Sequence, residues 1–229
     1  MALCPFALHR IIPPGSSDPR ITPRVAVLHV DAGNAESLYD YFANRSGGIE
    51  SHFHVTRAGV IEQYRDTAFQ ADANNLANDF AVSIETQGYG EGEWTPEQLA
   101  AIKRLLRWLH DAHPEIRLAK VDRWDGAGIG YHVQFGAPGP WTPVAKSCPG
   151  PDRVRQFHDV LVPWLNAGAP DEEEDVALSE DDKKWIVALI DSAAEKAAKA
   201  VMEAEVVAKK DITVRQALRE LLNEEKSNG

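Results

Sequence analysis

Along the first 165 residues the chain alternates between short β-branched apolar runs and stripes of apolar residues at helical spacing. RVAVLHV (24–30) is a short apolar, β-branched run ending at Asp31-Ala32-Gly33, the pattern of a buried strand with His29 near its C-terminal end. NAESLYDYFAN (34–44) has Leu38, Tyr41 and Phe42 at helical spacing behind an Asn cap, and SHFHVTRAGVIEQYRD (51–66) reads as two strands around a turn at Arg57-Ala58-Gly59. FAVSIET (80–86) is a further short strand. Thr95-Pro96-Glu97-Gln98 combines a cap, a proline at the first helical position and Gln at the capping-box position, and Leu99, Ile102, Leu106 and Leu109 continue as a helical stripe. WDGAGIGYHVQFGAPGPWTPVAKSCPGP (124–151) is too rich in Gly and Pro for regular structure, and PDRVRQFHDVLVPWL (151–165) predicts a closing helix. Strands interleaved with helices predict an α/β fold, a mixed central β-sheet flanked by α-helices.

Beyond this body the pattern changes. NAGAPDEEED (166–175) joins Gly and Pro to a run of carboxylates, a composition that cannot bury enough apolar area to order itself, and predicts a linker. SEDDKKWIVALIDSAAEKAAKAVMEAEVVAKK (179–210) then carries Ile186, Leu189, Ile190, Ala193, Ala197 and Val201 at helical spacing, and ITVRQALRELLNEE (212–225) predicts a second, shorter helix. The expected organisation is a catalytic domain at 1–167, an acidic linker at 168–178 and an α-helical C-terminal tail at 179–229. A two-helix hairpin of that length has too little core to stand alone, so the tail is expected to pack on the body or on another copy, with self-association as a homo-oligomer favoured over a targeting role.

The net charge of −11 removes one class of partner: a nucleic-acid binder would carry a basic face. Residues 171–229 hold 16 acidic and 9 basic residues, so most of the excess lies in the tail. MALCPFALHRIIPPG has no basic region followed by an apolar run of signal-peptide length, and no stretch reaches the roughly 20 apolar residues of a membrane span. Cytoplasmic synthesis without a signal peptide is the expectation.

Candidate chemistry rests on few residues. Two cysteines in 229 residues make no disulfide framework, so Cys148, ahead of a rigid Pro149-Gly150-Pro151 corner, needs another role. Cys4 lies in a leader that needs none. Of the eight histidines, His110, His113 and His158 sit on or beside helices among polar neighbours and read as surface residues. His52 and His54 are two apart on a strand and share a face, which suits a metal or the polar side of a half-exposed strand equally well. His29 at a strand end, His132 in a glycine-rich loop and Cys148 show no CxxC or HExxH spacing. Three dispersed ligands fit a catalytic zinc, which leaves its fourth position open.

VAVLHVDAG with His29, GYH with His132, and KSCPGP with Lys146 and Cys148 resemble the type 2 N-acetylmuramoyl-L-alanine amidases, which share their fold with peptidoglycan recognition proteins. The resemblance runs from about Pro23 to Leu165 and implies that His29, His132 and Cys148 hold zinc. SHFHVTRAGVIEQYRD resembles the family hairpin, and NDFAVSIETQG resembles the strand that carries a catalytic glutamate, here Glu85. Ser51 stands where some phage members have a catalytic tyrosine, so the implied route uses Glu85 as acid and base with Lys146 stabilising the oxyanion. The interval from His132 to Cys148 is longer than in compact members, with GAPGPWTP inserted, and the three ligands are nevertheless expected to converge.

The overall pattern is most similar to endolysins of phages that infect actinobacteria. It implies a zinc-dependent peptidoglycan hydrolase, made in the host cytoplasm and acting on the cell wall after release. The bond cut would be the amide between the lactyl group of N-acetylmuramic acid and L-alanine, with host lysis as the outcome. A non-hydrolytic peptidoglycan-binding module is the main rival, and presence of all three ligands argues against it. A glycosidase would need two carboxylates across a sugar ring, and no such pair is visible. Trp94, Trp124 and Trp141 suit a glycan-peptide groove or core packing, and core packing is the expectation.

Overall fold

The computed structural model describes residues 2–13, 18–44 and 50–170. The helices expected in the tail, and the expected linker beyond residue 170, lie outside the described residues. Six strands form one mixed sheet: β1 (Leu8–His9), β2 (Val25–Leu28), β3 (Phe53–Val55), β4 (Ile61–Gln63), β5 (Ala81–Thr86) and β6 (Gly128–Tyr131), in the order β1-β4-β3-β5-β2-β6. The β3–β4 hairpin is antiparallel and the other four pairings are parallel. β2 lies between β5 and β6 with every residue buried, which is why it is an unbroken apolar run and not an alternating one.

Successive side chains point to opposite faces. On one face Ala26, Leu28, Phe53, Val55, Val82, Ile84 and Ile129 pack against α2 (Pro96–Ala112) and the closing helix, forming the main core. The capping box that starts α2 is present: Gln98 N donates to Thr95 Oγ1 (3.1 Å) and Thr95 N to Gln98 Oε1 (3.2 Å). Ile102, Leu105, Leu106 and Leu109 are its buried face. The closing helix runs as α3 (Pro151–Gln156), a wide turn at Phe157–Leu161 and α4 (Val162–Asn166), with Phe157, Leu161, Trp164 and Leu165 in the core. The opposite face has a smaller apolar cluster, Val25, Val27, Ala81, Val121 and Trp141, at one end. Its other end carries polar side chains.

Four local readings are corrected. The helix expected over 34–44 is only Tyr39–Ala43 (α1), because the preceding residues are tied to the sheet: Gly33 N donates to Gly88 O (3.1 Å), Gln87 Nε2 to Asn34 O (3.0 Å) and Leu38 N to Tyr64 Oη (2.8 Å). Ser37 Oγ, not Asn34, meets the first helical N–H. The leader is also no loose end: β1 pairs with β4, Cys4 N donates to Gln63 Oε1 (2.7 Å), and the Cys4 side chain is fully buried in the core. Among the helix-associated histidines, His158 is exposed, but His110 Nδ1 donates to Ile116 O (2.8 Å) and His113 Nε2 lies 2.6 Å from Thr67 Oγ1.

The fourth correction bears on function. Within the Gly/Pro-rich stretch, GIGY is strand β6, paired to β2 at the edge of the sheet. Its glycines are steric requirements. Gly128 has φ +140°, and a Cβ there would run into the Ala119 carbonyl oxygen, while a Cβ on Gly130 would sit 2.9 Å from Val121 Cγ1 and 3.2 Å from Trp141 Cη2. The segment Ala119–Val121 thus closes over β6 at backbone distance, with Ile129 N donating to Ala119 O (2.8 Å) and Val121 N to Ile129 O (2.9 Å). Gly128→Ala is expected to cost about 2 kcal/mol or more, since strain and clash coincide. Denaturant unfolding checks this, and a variant as stable as the parent would remove the steric account of β6.

Candidate metal centre

β2, β5 and β6 run parallel, and register carries their C-terminal ends to one level. Leu28 lies opposite Ile84 and Tyr131, so the next residues, His29, Glu85 and His132, come level on the same face. His29 N donates to Ile84 O (2.9 Å) and His132 N to Leu28 O (3.2 Å), fixing both backbones. Thr86 Oγ1 donates to His29 O (2.6 Å) and accepts from Trp94 Nε1 (2.9 Å), so the buried Trp94 acts as core support and not as a groove wall. Trp141 is buried as well, whereas Trp124 is exposed.

Cys148 comes from the turn ahead of α3. Val30 N donates to its Sγ at 3.3 Å, and Gly150, at φ +98° and pressed against Gly90 O, caps the helix that Pro151 begins. One ligand atom from each of His29, His132 and Cys148 falls within 4.8 Å of the others. The His29 and His132 rings lie with centroids 4.4 Å apart, tilted at 53° to one another, and Cys148 Sγ lies 3.7 Å from His29 Nδ1. The long interval between His132 and Cys148 does not keep them apart. His52 and His54 stay outside this group: His52 Nε2 donates to Phe69 O (2.9 Å) with Nδ1 at 3.1 Å from Ser83 Oγ, and His54 bonds to Asp31.

Two residues that no motif announced hold the imidazoles. Asn74 Nδ2 donates to Ala81 O (3.2 Å), which orients its amide, and its Oδ1 accepts from His29 Nε2 (2.8 Å). That sets the His29 tautomer and leaves Nδ1 as the free lone pair. The neighbouring Asn75, at φ 52° in a broken 3-10 segment (Asp72–Ala77), brings its amide to 3.1 Å from His132 Nε2. A non-glycine residue at positive φ is strained, and here the strain accompanies one asparagine facing each ring.

The charge states follow from burial. Desolvation, then the charge of His132, holds His29 well below the usual imidazole range, with the Asn74 bond opposing; desolvation and Lys146 hold His132 at about 4. Both rings are therefore neutral at pH 7, as ligation requires. The Cys148 thiol is pushed up to about 12, by desolvation and then by Glu85, against the Val30 hydrogen bond, Lys146 and Arg153. Glu85 is pushed up to about 8, by desolvation and then by Asp31, against Lys146. Its Oε1 lies 3.9 Å from His29 Nδ1, and its Oε2 is buried without a hydrogen-bond partner. Lys146 itself is exposed, within electrostatic reach of all four groups.

Two neutral imidazoles, that of His29 with its outer nitrogen bonded to Asn74, and a thiol too buried to ionise alone fit a divalent cation of borderline softness, and an N₂S set suits zinc. Binding must displace the thiol proton, so acid opposes it. Zinc affinity is expected to rise by at least about tenfold per pH unit between about pH 6 and 8, with at least one proton released per ion. Calorimetry in buffers of different ionisation heat measures that proton, and Cys148→Ser should bind zinc more weakly with a shallower slope. A pH-independent affinity, or full zinc content in Cys148→Ser, would exclude the thiolate.

A profile of the Amidase_2 family, N-acetylmuramoyl-L-alanine amidase, matches residues 19–151. No curated protein matches at the level of the whole sequence. Among solved structures, the endolysin N-acetylmuramoyl-L-alanine amidase LysCS from Clostridium intestinale URNW superposes with a TM-score of 0.52 at 19% identity, covering 72% of this chain and 99% of its own. A selenomethionine derivative of AmpD gives 0.53 at 17% identity, covering 70% and 97%. The Drosophila peptidoglycan recognition protein SA gives 0.50 at 12% identity, covering 68% and 93%. At such identities the superpositions establish a shared fold. The profile match spans more than half of the chain and includes His29, Glu85, His132, Lys146 and Cys148, and the chain belongs to the N-acetylmuramoyl-L-alanine amidase family.

Proposed function

We propose that this chain is a zinc-dependent peptidoglycan amidase that hydrolyses the bond between the lactyl group of N-acetylmuramic acid and L-alanine, and that it serves as a phage endolysin. The convergence of His29, His132 and Cys148 beside a buried carboxylate is the observation that carries the reading. A recognition module needs neither the ligand set nor the carboxylate. Bound zinc would supply a Lewis acid that polarises the scissile carbonyl and eases deprotonation of the attacking water.

The residues divide the remaining work. Glu85, at about 8, sits where a carboxyl can both take and return a proton near neutrality. It removes a proton from the attacking water and delivers one to the departing alanine nitrogen, so the peptide leaves as a neutral amine. Lys146, exposed yet electrically coupled to the centre, faces the charge that builds on the carbonyl oxygen. Ser51 offers no alternative: it is fully buried, with its hydroxyl engaged by Phe53 O (2.9 Å) and Ser83 O (3.0 Å). Among the described residues no helix is long and apolar enough to cross a membrane. The resemblance to endolysins of actinobacterial phages makes that host wall the proposed target.

Incubation with purified sacculi, with and without chelator, tests the reading. New N-terminal alanine amines that depend on metal, without new reducing sugars, are expected. Reducing ends would identify a glycosidase, and binding without either product a recognition module. Glu85→Gln should keep its zinc and lose on the order of 10²-fold or more in turnover. Undiminished turnover in that variant would transfer the proton role to another residue.

A further inference from the structure

The line of titratable side chains continues past the metal centre. His54 pairs in register with Glu85 on one side and Glu62 on the other, so His132, His29, Glu85, His54 and Glu62 form one row on one face of the sheet. Glu62 is occupied by Arg10 Nε (2.6 Å) and the Tyr64 hydroxyl (2.5 Å). His54 belongs to neither the ligand set nor that pair. Its Nε2 donates to Asp31 Oδ2 at 3.2 Å, and both side chains are buried, at 0% and 1% exposure. Its Nδ1 has no hydrogen-bond partner, the same state as Oε2 of Glu85 one strand away.

Asp31 joins two segments. Its Oδ1 accepts from Gly33 N (2.9 Å) and Gly88 N (3.0 Å), and its own N–H donates to Thr86 O (3.1 Å). One carboxylate therefore ties the segment that leaves β2 two residues after His29 to the segment that leaves β5 three residues after Glu85. Among the described residues, its side-chain donor is His54. Without that donor a buried carboxylate oxygen is left unsatisfied, and the group is free to turn away from the two main-chain N–H groups.

We propose that Asp31 and His54 are a positioning pair: His54 fixes the Asp31 carboxylate, and Asp31 fixes the mutual placement of the strand ends that carry His29 and Glu85. Neither residue touches the metal or the reacting atoms. The kinetic consequence rests on the amidase reading, while the clamp itself does not. Displacement of a reacting group by about 1 Å costs on the order of 10²-fold in rate, so even partial loosening is measurable.

The test compares His54→Leu, which fills a similar volume without a donor, with His54→Gln, whose side-chain amide restores a donor toward Asp31. The Leu variant is expected to lose about tenfold or more in kcat with KM and zinc content unchanged, and its Gly33 and Gly88 amides should exchange hydrogen faster. The Gln variant should recover most of both. If the Leu variant fails to fold, His54→Asn, too short to reach Asp31, takes its place. Wild-type kcat with unchanged exchange would overturn the proposal. Equal losses in the Leu and Gln variants would overturn it too, as would a lower Tm with kcat and exchange unchanged. If the parent protein releases no alanine amines, the amidase reading fails, and exchange at Gly33 and Gly88 still decides the clamp.

Discussion

The site depends on the parallel pairing of β2 with β5 on one side and β6 on the other. In a parallel sheet the C-terminal ends of neighbouring strands lie together, so residues far apart in sequence arrive level whenever each occupies the position just past or at the end of its strand. His29, Glu85 and His132 satisfy that condition on one face. Alternation then sends Leu28, Ile84 and Tyr131 to the opposite face, where they join the packed core under α2 and the closing helix. Core packing thereby fixes the register, and the register places the polar row: a slip of one residue would bury the polar row in the core.

Burial at this row determines the chemistry as much as proximity does. Desolvation acts in the same direction on every group, towards the neutral form: low on the two imidazoles, high on the thiol and on Glu85. A pocket of neutral donors beside an exposed Lys146 is arranged around a charge it does not itself contain. A divalent cation would reconcile these tendencies: His29 and His132 would hold it as neutral imidazoles, and its charge would favour loss of the Cys148 proton. The same cation would draw Glu85 towards its ionised form, the form a proton acceptor needs.

Much of this was legible in the sequence, and the limits have physical causes. β2, β5, the hairpin and α2 announced themselves by apolar runs, turn residues and a capping box, all of them local signals. The five candidate residues came from short motifs at strand ends and ahead of a helix. β6 did not, because glycine is ordinarily a strand breaker and here is the residue that lets Ala119–Val121 approach. Asn74 and Asn75 look like any turn dipeptide; their meaning comes from rings that lie 45 and 57 residues away. The Asp31–His54 contact is likewise a product of register. Cys4 seemed expendable because nothing local shows that a two-residue strand will anchor it.

The loop between His132 and Cys148 shows how a long connection can be made rigid. A flexible loop of that size would weaken the approach of Cys148 to the histidines by the entropy of closing it. GAPGPWTP instead brings Trp141, which is buried, donates from Nε1 to Trp124 O (2.8 Å) and meets the Phe135 ring edge-on at 4.7 Å. Trp141 O accepts from Leu76 N (3.1 Å), next to the Asn75 that faces His132, and Thr142 Oγ1 donates to His132 O (3.2 Å). This segment is therefore fastened to both sides of the histidine before the chain goes on to Cys148. From there only Pro143 to Ser147 span the distance to the thiol, and Gly150 with Pro151 locks the far end into α3. Length in sequence is thereby converted into support for His132, which is why an interval of this length still delivers Cys148 to His29.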